Sequence, residues 1–198
     1  TTTYRLLRGL GRTWMAILLV AALSASGLGP LRPTPVHAQN RVDRGLQALY
    51  EFEEGSGTTV ADTSGVGSSL DLTMLNGSYA WGDDANGGYL DFTGPNWAAN
   101  DTNSNKIYQA CTDSTELSVE AWVRPANNTQ GGAARIVTLS VDGLNRNFQL
   151  MQNGARYEFR LLTSDNDTNE LDTQNVIDAP PALQHVVYTY DGDTDTAQ

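Results

Sequence analysis

An antiparallel all-β domain is what this sequence predicts, and three observations predict it. Beyond Gln39 no segment sustains a 3.6-residue apolar period. Short runs rich in Val, Ile, Tyr, Phe and Thr recur instead, each bounded by Gly, Asn, Asp or Ser clusters. Between FQLM and YEFRLL stands Gln152-Asn153-Gly154, a hairpin signal because Asn-Gly tolerates the positive φ of tight turns.

Taken in order, these runs place strands at Leu46–Glu53, Tyr89–Phe92, Leu117–Arg124, Arg135–Ser140, Asn147–Met151, Tyr157–Leu162 and His185–Tyr190. Turns fall at Gly82–Gly88, Asn127–Gly132, Met151–Arg156 and Ser164–Glu170, and Pro180-Pro181 opens the connection into HVVYTY. Neither a tandem repeat nor an interdomain linker follows residue 45. Within LYEFE, Tyr50 and Phe52 alternate with Glu51 and Glu53, and a strand sends alternate side chains to opposite faces. Burying the aromatics leaves both glutamates in water, and Glu54-Gly55-Ser56-Gly57 turns the chain. The three glutamates are structural on this reading.

Residues 1–38 read as an export signal preceding the domain at 39–198. Arg5, Arg8 and Arg12 form a basic start, and WMAILLVAALSA (Trp14–Ala25) is an apolar run broken by Gly27, Gly29 and Pro30. Val36-His37-Ala38 then offers a small-x-small cleavage signature. The apolar core is shorter than the roughly 20 residues of a spanning helix. The expected destination is therefore secretion or the cell envelope, with no membrane contact after cleavage; an uncleaved anchor is the alternative.

Without residues 1–38, Lys+Arg falls from 12 to 8 against 23 acids, a net charge of −15. Such a surface repels nucleic acid and anionic lipid, so neither is an expected partner. Cys111 is the only cysteine, which excludes an internal disulfide. Nothing beside it would activate a thiol, and it reads as a small core residue.

The succession ALYEFEEGSGTTVADTSG, ELSVEAWVRP, RIVTLSVDGLNRNFQL, YEFRLLT and LQHVVYTYDG resembles the laminin G-like, concanavalin A-like jelly-roll domains of secreted bacterial proteins. The first block is similar to their entry strand and aspartate turn. EAWVRP is similar to the central strand with its tryptophan, and HVVYTYDG to the late strand before a hairpin. The resemblance implies an antiparallel β-sandwich of jelly-roll type over roughly residues 45–198. The sequence ends at Gln198, where the family continues, so the sandwich is expected to be incomplete at its C-terminus. The fold hosts lectins, adhesion modules, glycosidases and lyases, and it does not choose among them.

Catalytic chemistry finds little support. The family's glycosidases carry a Glu-x-Asp-x-x-Glu strand, whose carboxylates lie about 5 Å apart in retaining enzymes. The nearest match, Glu170-Leu171-Asp172-Thr173-Gln174-Asn175, ends on asparagine and falls in an expected loop. His185 is the only histidine past residue 38, and no Gly-x-Ser-x-Gly elbow accompanies it. A structural calcium ion is what the resemblance implies instead, with Asp62 in VADTSG as its ligand. The alternative is that Asp62 caps its own turn. Asp165-Asn166-Asp167 and Asp191-Gly192-Asp193-Thr194-Asp195 space acids at i and i+2, yet neither completes a calcium loop.

Carbohydrate binding asks for an exposed aromatic platform beside hydrogen-bonding side chains. Trp97 in GPNWAAND, with Asn96, Asn100 and Asp101 near it in sequence, is the first candidate, and Trp81 the second. Trp122 reads as core. Arg146 and Asn147, beside Asn145 at a strand entry, can fix hydroxyls. The expectation is thus a secreted, non-catalytic module that binds a glycan or another surface component. A polysaccharide-cleaving enzyme on the same sandwich and a passive spacer domain are the alternatives.

Overall fold

Two stacked antiparallel sheets hold the core, each assembled from strands whose alternate residues are apolar. The computed structural model describes residues 44–100, 105–141, 145–163 and 168–198. The larger of two compact units, Asp43–Gly82 with Gly88–Gln198, carries these sheets; the hairpin tip Asp83–Gly87 falls in the other.

A three-stranded sheet has the order β12-β11-β6, with β6 at Glu116–Val123, β11 at Gln184–Asp191 and β12 at Thr196–Ala197. A four-stranded meander, β10-β9-β8-β7, is built from β7 (Gln130–Ser140), β8 (Arg146–Gly154), β9 (Arg156–Leu162) and β10 (Thr168–Asp172). Period-two patterning turns Tyr157, Phe159 and Leu161 of β9 toward Val119 of β6 and Tyr188 of β11. The Phe159 and Tyr188 rings stack with centroids 3.4 Å apart, and Phe148 lies 6.0 Å from Phe159. Burying each such ring contributes about 2–3 kcal/mol. Ile177, on the connection from β10 to β11, is buried in the same cluster.

The expected strands at 89–92, 117–124, 135–140, 147–151, 157–162 and 185–190 are present, within a few residues at their ends. The hairpin turn is Gly154-Ala155, one residue later than the sequence suggests, with Gly154 at φ 60°. Two expectations are corrected. Leu46–Glu53 is extended but forms no ladder strand. Its backbone is satisfied by other means: Asp62 Oδ1 accepts from the Leu49 amide at 3.1 Å, and the Leu49 carbonyl accepts from the Thr63 amide at 2.8 Å. Residues 168–172, expected in a turn and loop, form β10 because Leu171 packs onto the core beside Phe159.

A helix, α1 (Asn105–Ser114), was not expected at all. Its only inward-leaning apolar residues are Ile107, Ala110 and Cys111, too few to register as a periodic pattern, and Lys106 is the fourth partly buried residue. Thr115, at φ 58°, ends the helix in the left-handed conformation usual for such stops. The Gly192 amide donates to the Thr115 carbonyl at 2.9 Å, and a Cβ on Gly192 would lie 2.7 Å from that oxygen. Only glycine permits that approach.

Ahead of these sheets, β1 (Thr59–Val60), β2 (Leu72–Met74) and β5 (Ala98–Ala99) form a small sheet, and β3 (Tyr79–Asp84) pairs with β4 (Gly87–Phe92). Glu51 accepts from Thr63 Oγ1 at 3.0 Å, Glu53 from the Gly88 amide at 3.1 Å and Glu54 from the Ala61 amide at 2.7 Å. The three glutamates therefore fasten two other segments, Ala61–Thr63 and the start of β4, by separate hydrogen bonds.

Candidate functional site

Two outer faces carry the chemistry, one on each sheet. On the three-stranded sheet, the inward phase of β6 (Leu117, Val119, Ala121) sends Glu116, Ser118, Glu120 and Trp122 outward. On β11, Val186, Tyr188 and Tyr190 pack inward, leaving His185, Val187, Thr189 and Asp191 outside. Register then sets these residues opposite one another in four rows: Trp122 with His185, Glu120 with Val187, Ser118 with Thr189, and Glu116 with Asp191.

Trp122, expected in the core, is 47% exposed. Its ring stacks on His185, with centroids 4.4 Å apart and planes 11° from parallel. Glu120 Oε1 lies 3.0 Å from His185 Nε2, which fixes the imidazole when that nitrogen carries the proton. At the Glu116–Asp191 end, Ser118, Thr189, Thr194, Thr196 and Gln198 join these two acids, and Tyr190 from the inward phase, in lining a cleft of about 410 Å³.

The outer face of the four-stranded sheet is of another kind. Glu158 of β9 and Glu170 and Asp172 of β10 bring carboxylate oxygens within 4.8 Å of one another. Among the described residues this is the one trio of acids or other donors placed to share a metal ion. Each already has a guanidinium partner. Arg160 reaches Glu170 at 2.9 Å and Glu158 at 3.4 Å, while Arg156 lies 3.7 Å from Asp172. Glu158, 6% exposed, also accepts from Asn153 Nδ2. Met151 and Gln149, both buried, lie on the same face, with Gln149 Nε2 2.9 Å from the Met151 sulfur.

The remaining candidates are dispersed. Trp97 is 55% exposed, but Asn96 is used to hold its own loop. The Asn96 amide oxygen accepts from the Asn76 and Trp97 amides at 3.0 and 2.8 Å, and its nitrogen donates to the Asn76 carbonyl at 2.8 Å. Arg146 and Asn147 open β8 and so belong to a different sheet. Trp81 Nε1 and the Tyr79 hydroxyl both donate to the Gly57 carbonyl, pinning the Gly-Ser-Gly turn. Asp101 and the Asp165-Asn166-Asp167 group lie outside the described residues, as does the expected export signal.

Asp62 does not fit a calcium ion. Its side chain is fully buried, and Oδ2 takes the Lys106 ammonium at 2.6 Å and the Leu70 amide at 3.0 Å. Oδ1 takes the Leu49 and Ser64 amides at 3.1 and 3.0 Å. Calcium needs six or more oxygens, whereas this carboxylate is surrounded by N–H donors, one of them a cation. Burial by itself would raise the Asp62 pKa; Lys106, Ser64 and the Leu70 amide outweigh it and hold the carboxyl well below its ordinary value. The chain's only lysine thus ties α1 to the loop from Asp62 to Leu70. Asp191 Oδ1 accepts from the Asp193 and Thr194 amides at 2.9 and 3.2 Å, the bonds of a self-capped turn. Burial pushes the Cys111 thiol up, away from a nucleophile's range.

A family model described as the concanavalin A-like lectin/glucanases superfamily, of laminin G type, matches residues 84–197. The chain belongs to this superfamily. No curated protein and no solved structure matches it. The lectin/glucanase match takes in both sheets and α1, and hence both outer faces. It leaves out residues 44–83, which the Lys106–Asp62 pair and the Glu53–Gly88 bond join to the matched part. Domains of this superfamily can bind carbohydrate or be enzymatic, and the match assigns neither activity to this chain.

The Trp122–His185 platform was legible in principle. Applied to ELSVEAWVRP, the alternation rule puts Trp122 in phase with Glu116, Ser118 and Glu120, all polar, and out of phase with Leu117 and Val119. A tryptophan amid apolar neighbours reads as core only when that phase is ignored.

Proposed function

We propose that this chain is a secreted, non-catalytic recognition module that binds a glycan through the outer face of the β12-β11-β6 sheet. The Trp122–His185 stack carries the reading. A flat aromatic surface, 47% exposed at Trp122, offers the apolar face of a sugar ring a partner, and Glu120 holds the supporting imidazole in place. A cleft of about 410 Å³, beginning two rows along the same sheet, falls within the usual size of ligand sites and is lined by hydroxyls, carboxylates and one amide. The formal net charge of −11 argues against nucleic acid or anionic lipid as the partner.

Titration calorimetry against a panel of soluble oligosaccharides tests this. Trp122→Ala is expected to weaken binding at least about ten-fold, the loss of one stacking anchor. Trp97→Ala should change it little. Equal affinity in wild type and Trp122→Ala would reject the assignment.

A second reading, polysaccharide cleavage, draws on the convergence of Glu158, Glu170 and Asp172. Against it, the acids are bound to Arg160, Arg156 and Asn153, and no aromatic side chain joins them in the alternating phase of β8, β9 and β10. Reducing-end release from polysaccharides, abolished by Glu170→Gln, would establish the enzymatic reading.

A further inference from the structure

We infer that the ligand of this face carries positively charged amino groups: a glycan of amino sugars with unacetylated amines, whose rings lie on Trp122 and whose ammonium groups enter the Glu116–Asp191 cleft. The inference rests on the glycan-binding reading above and narrows it to a chemical class.

The four rows grade from aromatic to acidic. Seven residues of β6, from Glu116 to Trp122, span about 20 Å at the rise of a strand, room for several rings in file. Trp122 and His185 occupy one end. The other end is acidic. Glu116 and Asp191 face each other directly across the ladder, an arrangement of like charges that costs stability unless something positive intervenes. The cleft they share has no basic lining residue.

The usual remedies are absent at this pair. Asp191 spends one oxygen on the Asp193 and Thr194 amides. Glu116 has no side-chain hydrogen bond or ion pair among the described residues. An ammonium group placed between them would supply the missing counter-charge while Ser118, Thr189, Thr194 and Gln198 meet the hydroxyls beside it. A uronic acid or a sulfated sugar would instead bring a third negative charge to the row. Acetylation would leave the ring free to stack on Trp122 but remove the cation.

The test compares three probes on the whole chain by titration calorimetry: a hexamer of β-1,4-linked glucosamine, its fully N-acetylated form, and an oligomer of galacturonic acid. The amine form is expected to bind at least ten-fold tighter than the acetylated form, and the uronic oligomer not at all. Glu116→Gln with Asp191→Asn, which keeps the turn's acceptor, should remove most of that preference and leave the acetylated form unchanged. Asp91→Asn with Asp178→Asn, two exposed acids elsewhere, should leave it intact. An equal loss in this control would assign the attraction to overall charge and overturn the inference. Equal binding of amine and acetylated forms, still sensitive to Trp122→Ala, would overturn the inference alone. Binding of none of the three, or tightest binding of the uronic oligomer, would also overturn it. Failure of every other glycan as well would overturn the glycan-binding reading itself.

Discussion

The two outer faces are built from the same antiparallel geometry and share one core, yet they spend their charges differently. On the four-stranded sheet, three carboxylates are answered by Arg156 and Arg160. On the three-stranded sheet, an exposed aromatic pair stands at one end of the face, and at the other two acids face each other with no counter-ion among the described residues. Charges that settle their accounts within the chain serve the fold, and those left over are available to a ligand. The Lys106–Asp62 pair is the extreme of the first kind, with its carboxylate wholly buried.

Substitutions that separate paired from unpaired charge sharpen this contrast. Lys106→Met should have the largest effect, about 3 kcal/mol lost in urea unfolding, because it strands a buried carboxylate. The same pair dictates an acid response. Asp62 titrates well below its ordinary 3.8 in the folded chain. Its contribution is therefore complete above that pH and lost progressively as pH falls below it. Lys106→Met raises the folded pKa, so the variant's stability should fall less steeply below pH about 4. An unchanged slope would mean the pair is not formed.

Arg160→Met should cost less, about 2 kcal/mol, since Glu158 is buried but keeps Asn153, and Glu170 is half exposed. Tyr188→Phe should stabilise by up to about 1 kcal/mol: the Tyr188 hydroxyl is buried with no hydrogen-bond partner among the described residues, while its ring stacks on Phe159. Glu116→Gln should have the smallest effect, within about 0.5 kcal/mol and toward greater stability, by relieving a like-charge pair. A chelator should leave the melting temperature unchanged, because Asp62 holds an ammonium and each acid of the trio a guanidinium. A chelator-induced drop would show a metal site that competes with these cations.

How much of this could be read in advance depended on the strength of the local pattern. Strands with strict alternation, such as YEFRLL and HVVYTY, were legible because each buries one complete face. The helix was hidden because Ile107, Ala110 and Cys111 form a single weak stripe. β10 was hidden by the polar residues around Leu171, the one apolar residue of that strand. Asp62 stood out by residue type, but its partner could not be read from a residue 44 positions away. Cross-strand register is equally invisible to composition: the meeting of Trp122 with His185, and of Glu116 with Asp191, follows only once β6 and β11 are paired.

The most direct measurement is amide hydrogen exchange on the whole chain with and without a saturating bound glycan. Ligand seated on the aromatic-to-acidic face should slow exchange in Glu116–Val123 and Gln184–Asp191 and leave Arg156–Leu162 and Thr168–Asp172 unchanged. Protection confined to the latter two strands would contradict the account and move recognition to the Glu158–Glu170–Asp172 face.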